Sequence, residues 1–352
     1  MKITTANSAS GIALIMVLIV IVVLAGLAFV FAASMNVETK LARNATHDTE
    51  MEWMGRSGIE LARYVLAQAT TGPFGQVDAL NQKWAGGPGD TNDPASAIPL
   101  DNYQLGNATL SIKIVDQDRK FNINTADSVL LRQALNRMEM DAALSPSIAD
   151  AIIDWRDPDD RESMNGAESD YYQSLNPPYV AKNGPFDDLT ELLWVRGVTP
   201  AMYYGGSGGA GRLVRRVPGQ SRAMEEPAYP MGLQDLFTTH SSGLLNVNTA
   251  SAQVLSCIPG IDPNVAQAII TARAGLDGAD GTEDDTPFRS AGDLARIGLG
   301  GAEVSQFTRF FTTRSLVFEV KVDVRIDKYH RQYVAMVRRN GRDTQVLKMY
   351  WN

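Results

Sequence analysis

The chain has 352 residues, 44% apolar and 20% charged, enough beyond any membrane segment for one large domain or two modest ones. A net charge of −8, from 32 Lys and Arg against 40 Asp and Glu, argues against a surface built for the phosphate backbone and favours protein or cation partners. The single cysteine, Cys257, excludes an intramolecular disulfide, argues against a zinc cluster, and reads as a small buried apolar side chain.

After a polar-leaning leader, Met1 to Ser10, the 23 residues from Gly11 to Ala33 are all Gly, Ala, Val, Ile, Leu, Met or Phe. No charge occurs between Lys2 and Glu38. As a helix the run spans roughly 34 Å, enough to cross a hydrocarbon core of about 30 Å. A cleaved secretory signal would carry a basic start and an apolar core of about 7 to 15 residues; Ala32-Ala33-Ser34 could serve as a cleavage site, but the core before it is too long. Lys2 stands alone in the leader while Lys40 and Arg43 follow the run, so charge counting does not put the N-terminus inside.

Past the membrane run, Met54, Gly58, Leu61 and Val65 recur at helical spacing, which predicts that the helix continues to about Gln68 and ends at Thr70-Thr71-Gly72-Pro73. Residues 72–107, with Gly86-Gly87-Pro88-Gly89, read as a long loop, and Leu110, Ile112 and Ile114 as a first, half-buried strand. A helical block with an internal repeat follows. Phe121-Asn122-Ile123-Asn124-Thr125-Ala126 returns as Leu245-Asn246-Val247-Asn248-Thr249-Ala250. Ala151-Ile152-Ile153 with Arg156 returns as Ala268-Ile269-Ile270 with Arg273, and Pro185-Phe186 returns as Pro287-Phe288. The Asn and Thr side chains are expected to cap helices starting at Ala126 and Ala250. At the end of the chain, Phe318, Val320, Val322, Val324 and Ile326 alternate with polar residues. A turn over Asp327–Arg331 leads to a strand over Gln332–Arg339, and Asn340-Gly341 to another over Thr344–Trp351, a three-stranded meander.

Two segments concentrate carboxylates. The first holds Asp154, Asp157, Asp159, Asp160, Glu162, Glu168 and Asp170 against Arg156 and Arg161; the second holds Asp277, Asp280, Glu283, Asp284 and Asp285 with no base. A hard dication with oxygen ligands would neutralise either, and a solvated surface loop is the plainer alternative. Gly278 and Gly281 would let carbonyls turn inward, but neither loop is an EF-hand, because Ala279 and Gly281 occupy the third and fifth positions counted from Asp277.

Together, the leader ending in Gly11, the apolar helix starting at Ile12, the duplicated helical insert and the terminal β-meander resemble the minor pseudopilin K family of type II secretion systems over nearly the whole chain. The resemblance implies an α+β pilin-like fold: a long N-terminal helix packed on an antiparallel sheet, with an inserted helical domain of two helix-hairpin-helix (SAM-like) repeats. The expected parts are a leader (1–11), a transmembrane helix (12–33), a first pilin-like part (34–115), the insert (116–313, repeats at about 121–204 and 245–312) and a second pilin-like part (314–352). It implies cleavage between Gly11 and Ile12, methylation of Ile12, and a single-pass inner-membrane protein with its large domain in the periplasm. The implied role is to initiate and cap a pseudopilus together with minor pseudopilins of the I and J types, with secreted substrate or the outer-membrane secretin as further contacts and membrane lipid around the helix before assembly. It also tips the acidic loops toward calcium.

Pilin-like proteins mostly carry Glu at the fifth mature position, which here is Met16. A carboxylate in the bilayer persists where it pairs with a cation such as a neighbouring subunit's amine, and a subunit with nothing above it needs no such partner, which suits a tip position. Met16 is equally an ordinary apolar residue of a membrane span. A minor pilin of a type IV pilus would share the N-terminal logic; the duplicated insert favours secretion.

Asn246 to Ala250, Ile258-Pro259-Gly260-Ile261 and Ala268-Ile269-Ile270 also resemble the helix-hairpin-helix of DNA-uptake receptors, so a tethered DNA-binding protein is the competing reading. Asp262 follows that hairpin directly and the second acidic segment lies close behind, a setting that repels phosphate, so no nucleic acid is expected. Gly206 to Gly211 matches G-x-G-x-x-G without the strand and helix that a nucleotide cradle requires, and Arg212, Arg215 and Arg216 read as a solvated patch. His47, His240 and His330 have no metal or triad spacing, and Trp53, Trp194 and Tyr203 read as packing or subunit contacts. No nucleophile with a base partner points to catalysis.

Overall fold

The computed structural model describes residues 9–69, 76–89, 94–206 and 229–351. The expected helix stop at Thr70–Pro73, Ser207 to Gly211 of the glycine-rich motif, and Arg212, Arg215 and Arg216 lie outside the described residues.

Helix α1, Ala9–Gln68, runs 60 residues, or about 90 Å at 1.5 Å per residue. It has two halves with different surroundings. From Ala13 to Ala33 the apolar half is exposed, with Leu14 at 70%, Met16 at 62% and Phe29 at 76%, and it is long and apolar enough to cross a membrane. Gly11 and Ile12 lie within this helix. The distal half buries Met51, Ile59, Ala62, Val65 and Leu66 against a sheet. Two glycines allow the approach: a Cβ on Gly55 would lie 2.4 Å from the Tyr333 ring, and one on Gly58 would lie 2.5 Å from Val322 Cγ1.

The segment expected to be a loop is more structured than its composition suggests. It carries short 3-10 turns at Lys83–Ala85 and Pro94–Ala97 and a strand, β1 (Tyr103–Leu105), so the strand expected to be first, β2 (Ala108–Asp116), is the second. Trp84 anchors the segment: it is buried, donates its ring N–H to Gln82 at 2.7 Å, and meets Phe318 edge-on at 5.1 Å. Among the described residues of the insert, four two-residue strands follow: β3 (Phe121–Asn122), β4 (Phe237–Thr238), β5 (Leu245–Asn246) and β6 (Phe311–Thr312), paired β3 with β4 and β5 with β6, both parallel.

The chain closes with β7 (Val317–Ile326), β8 (Tyr329–Asn340) and β9 (Asp343–Trp351). The main sheet is antiparallel in the order β1-β2-β7-β8-β9. Both hairpins are tighter than expected. The first turns on Asp327-Lys328, with Asp327 at φ 51, and the second on Gly341-Arg342, with Gly341 at φ 60; Asn340 is still in the strand.

Between β2 and β7 the helices are α2 (Ser128–Arg137), α3 (Ser145–Arg156), α4 (Ser169–Gln173), α5 (Pro200–Tyr204), α6 (Leu233–Leu236), α7 (Ala252–Leu255), α8 (Pro263–Arg273) and α9 (Gly301–Thr308). They enclose their own apolar core, from Phe121 to Phe311, separate from the core under the sheet. Cys257 is buried in it, and burial pushes its thiol up to about 12. The molecule is thus α+β, with a helical body inserted between two strands of a helix-backed sheet.

Candidate functional site

The two repeat copies share one hydrogen-bond scheme. The side-chain oxygen of Asn122 accepts the Asn124 N–H at 2.9 Å, and Asn246 does the same for Asn248 at 2.9 Å. The second Asn of each copy then clasps a distant phenylalanine backbone from both sides. Asn124 accepts from Phe186 N at 2.7 Å and donates to Phe186 O at 3.0 Å; Asn248 and Phe288 repeat this at 2.8 and 2.9 Å. An arginine completes the unit. Arg156 donates to Ile123 O and Ala126 O, and Arg273 donates to Val247 O at 2.7 Å and Ala250 O at 2.8 Å.

This corrects the expected role of the motif. The Asn and Thr side chains do not cap helices at Ala126 and Ala250, because the helices begin two residues later. The caps are Asp127, accepting from Leu130 N at 2.8 Å, and Ser251, accepting from Val254 N at 3.3 Å. The asparagines tie the motif to itself and to the Pro-Phe segment some 40 to 62 residues on.

In the first acidic segment three carboxylates converge. Asp154 stands on the last turn of α3, Asp157 caps its C-terminus, and Glu168 precedes α4. One oxygen of each lies within 4.8 Å of the others. Two oxygens bound at about 2.4 Å on opposite sides of a calcium ion would be separated by about that distance. Asp154 is fully buried and Glu168 is 4% exposed; among the described residues, Asp154 Oδ1, Asp157 Oδ1 and both Glu168 oxygens have no hydrogen-bond partner. Burial, reinforced first by Asp154 and then by Asp157, Asp160 and Asp159, pushes Glu168 up to about 7. Burial and the neighbouring Asp159 and Asp154 also raise Asp157. Gly166 closes the cluster from the loop side, since a Cβ there would fall 1.7 Å from Asp154 Oδ2. These are oxygen donors alone, in a pocket that penalises their charge, which suits a hard dication.

The other acids of that segment have different employment. Asp159 accepts from Arg161 N at 2.9 Å, and Asp160 takes Ser169 Oγ at 3.0 Å and Asn183 Nδ2 at 2.8 Å. Glu162 faces Arg196 at 3.9 Å, and Asp170 is exposed in the first turn of α4.

The second segment closes on itself. Asp280 pairs with Arg273 at 2.9 and 2.7 Å. Asp284 Oδ2 takes the N–H groups of Leu276 at 2.6 Å and Asp277 at 3.1 Å, and Asp285 takes Gly281 N at 2.8 Å. Asp277 turns back on Ala279 N at 2.8 Å, and Glu283 is exposed. Among the described residues, the carboxylates that converge closely enough to hold a metal ion are Asp154, Asp157 and Glu168, and no histidine joins them. Trp53 and Trp194 are exposed, while Tyr203 is packed in the helical core.

The hairpin at Ile258–Ile261 offers little to phosphate. Asp262, the N-cap of α8, already accepts the N–H groups of Asn264 at 2.8 Å and Val265 at 2.9 Å, so its carboxylate sits where an anion would bind.

Two family models match, both described as type II secretion system protein K, one over residues 110–205 and one over 245–309. They cover the two repeat copies. Type II secretion system protein K of Pseudomonas aeruginosa is 26% identical over 97% of this chain and 91% of its own length. The Aeromonas hydrophila protein of the same name is 27% identical over 55% of this chain and 60% of its own. The fold matches a chain in the crystal structure of the GspK-GspI-GspJ complex from the enterotoxigenic Escherichia coli type 2 secretion system, with TM-score 0.62 and 16% identity over 88% of this chain and 99% of that one. The chain is similar to type II secretion system protein K over both repeat copies and, against the Pseudomonas aeruginosa relative, over nearly its whole length.

Proposed function

We propose that the protein is a minor pseudopilin that starts and caps the periplasmic pseudopilus, in complex with minor pseudopilins of the I and J types. The observation that carries this is α1, whose apolar half is exposed from Ala13 to Ala33 while its distal half is packed under a sheet. An exposed apolar surface of that length needs lipid or other helices around it. Lipid covers it before assembly and subunit helices cover it afterwards. The protein then lies in the inner membrane with its sheet and helical body in the periplasm, and its work is assembly rather than catalysis.

Processing between Gly11 and Ile12 would free the helix for that transfer. Mass spectrometry of the membrane fraction tests it: a mature chain starting at N-methylated Ile12 is expected, and an intact Met1 or a cut near Ser34 overturns the pilin class. Crosslinking tests the tip position that Met16 and the bulky insert suggest. Contacts confined to other minor pseudopilins are expected, and contacts distributed along the filament refute it.

Asp154, Asp157 and Glu168 are proposed to hold calcium. Four buried carboxylate oxygens without a hydrogen-bond partner support this reading. Calorimetry and thermal melts with calcium or chelator test it; no heat and no melting shift would sink it. In the competing DNA-binding reading, nanomolar duplex binding at physiological salt would be required.

A further inference from the structure

The sheet and the helical body meet at a buried polar seam that the assembly role leaves unexplained. Asp116 and Asp118 lie where the chain leaves β2, Ser315 where it returns to β7, and Asp78 enters from the segment after α1. All three carboxyl groups are buried. Among the described residues, Arg339 of β8 is the guanidinium bonded into the seam: it pairs with Asp78 and donates to Ser315 O at 3.1 Å and Leu66 O at 3.3 Å. Burial raises Asp118 above its ordinary range, and the backbone N–H groups of Ser242 at 2.5 Å, Leu316 at 2.6 Å and Val317 at 3.3 Å oppose that shift by favouring its charged form.

Asp116 has no cation bonded to it and takes one backbone N–H against three for Asp118, and the hydroxyls that reach it only partly offset its burial. Its Oδ2 is met by the hydroxyls of Ser315, at 2.6 Å, and Thr249 and, at 3.4 Å, by the Asn246 amide; its Oδ1 takes one N–H, from Asp118 at 2.8 Å. Asn246 also donates to Asp78 O at 3.0 Å and Ser315 Oγ at 2.7 Å, so the repeat motif of the helical body and both edges of the sheet converge on this carboxyl. The remaining charges facing the seam are half-buried Arg119 and, behind it, the Arg273–Asp280 pair.

We propose that this seam is a proton-held latch, in which a neutral Asp116 locks the helical body to the sheet and loss of its proton loosens the two. Geometry provides for the neutral form. Thr249 Oγ1 lies 3.5 Å from Asn246 O, so this hydroxyl can turn to that carbonyl and accept from a protonated Asp116 Oδ2, while Ser315 goes on donating to the same oxygen. Ionised, Asp116 would be a third carboxylate in a seam with one bonded guanidinium. Burial and the charge of Asp118 accordingly raise Asp116 from 3.8 to about 7.

The direction follows from linkage. Once the seam opens and Asp116 meets water, the group returns toward 3.8, so between that value and about 7 the closed form holds a proton that the open form has lost. Closure is strongest below that window. It weakens about tenfold per pH unit across the window and levels off above it.

Two readouts on the full-length protein in detergent micelles test this, from about pH 5.5 to about pH 8. Infrared difference spectra should show the carbonyl stretch of a protonated carboxylic acid that Asp116→Asn removes. Hydrogen exchange at residues 246–249 and 315–317, corrected for intrinsic rates, should lose protection with rising pH in the wild type and stay flat in Asp116→Asn. If that variant does not fold, Asp118→Asn should move the wild-type transition to lower pH, because a like charge has been removed. An absent acid band, an equal slope in Asp116→Asn, or an unmoved transition in Asp118→Asn overturns the proposal.

Discussion

Arg273 gives the sharpest test of how the duplicated unit is held together. Its guanidinium is 4% exposed and serves two tasks at once: it satisfies the carbonyls of Val247 and Ala250, and it pairs with Asp280. Replacing it by Ala leaves two buried carbonyls without that donor, at about 1–3 kcal/mol each. The Asp280 side chain is 25% exposed and regains water, so losing the pair itself adds at most about 1 kcal/mol. Arg273→Ala should therefore destabilise by about 2–7 kcal/mol, a large part of the 5–15 kcal/mol typical of a folded protein. Asp280→Asn, which keeps the guanidinium on its carbonyls and an amide oxygen beside it, should cost less than Arg273→Ala. Urea titrations followed by tryptophan fluorescence and circular dichroism measure both. If Arg273→Ala lies within about 1 kcal/mol of wild type, or if the two variants cost the same, the carbonyl cradle does not carry the stability assigned to it.

Gly166→Ala drives a methyl group into Asp154 Oδ2, so it should cost about 1–3 kcal/mol in chelator and abolish the melting shift produced by calcium; an unchanged shift would remove these carboxylates from the site. Gly55→Ala places its methyl 2.4 Å from the Tyr333 ring and should destabilise the sheet-packed half of α1 by about 1–3 kcal/mol in denaturant titrations. Gly26→Ala, with nothing within 4 Å of its Cβ, should leave the same titration unmoved.

Much of this molecule is legible in the sequence because its signals are periodic. The apolar run, the alternation from Phe318 to Ile326 and the return of Asn-x-Asn-Thr-Ala each report an element that buries one face repeatedly. What escaped depends on contacts between distant segments. Residues 72–107 look like loop by composition, yet Trp84 and β1 fold there because the edge of β2 and the Phe318 ring are available to them. The asparagines look like helix caps from their neighbours, but their partners are Phe186 and Phe288, far along the chain. Asp116 was readable in principle. It continues the inward phase of Leu110, Ile112 and Ile114, and a carboxylate at an inward position signals a buried polar partner set. In the first acidic segment the cluster of acids was visible, but the choice of three among seven was not. That choice is made by the end of α3 and by Gly166, which bring Asp154, Asp157 and Glu168 together while the rest find donors nearby.

The two copies explain each other when aligned on Arg156 and Arg273. Two residues before the arginine stands Asp154 in the first copy and Thr271 in the second; one residue after it stands Asp157 in the first and Ala274 in the second. The second copy has thus lost two of the three converging carboxylates, and in their place Asp280 comes back onto Arg273 while Asp284 and Asp285 bind the loop's own N–H groups. On the calcium proposal, a common scaffold closes one loop with an internal cation and the other with an external one. Chelation should accordingly raise hydrogen exchange across residues 154–170 and leave residues 277–285 as they were. An equal response in both loops would mean that the second also holds an ion, and that the Arg273–Asp280 pair is not what neutralises it.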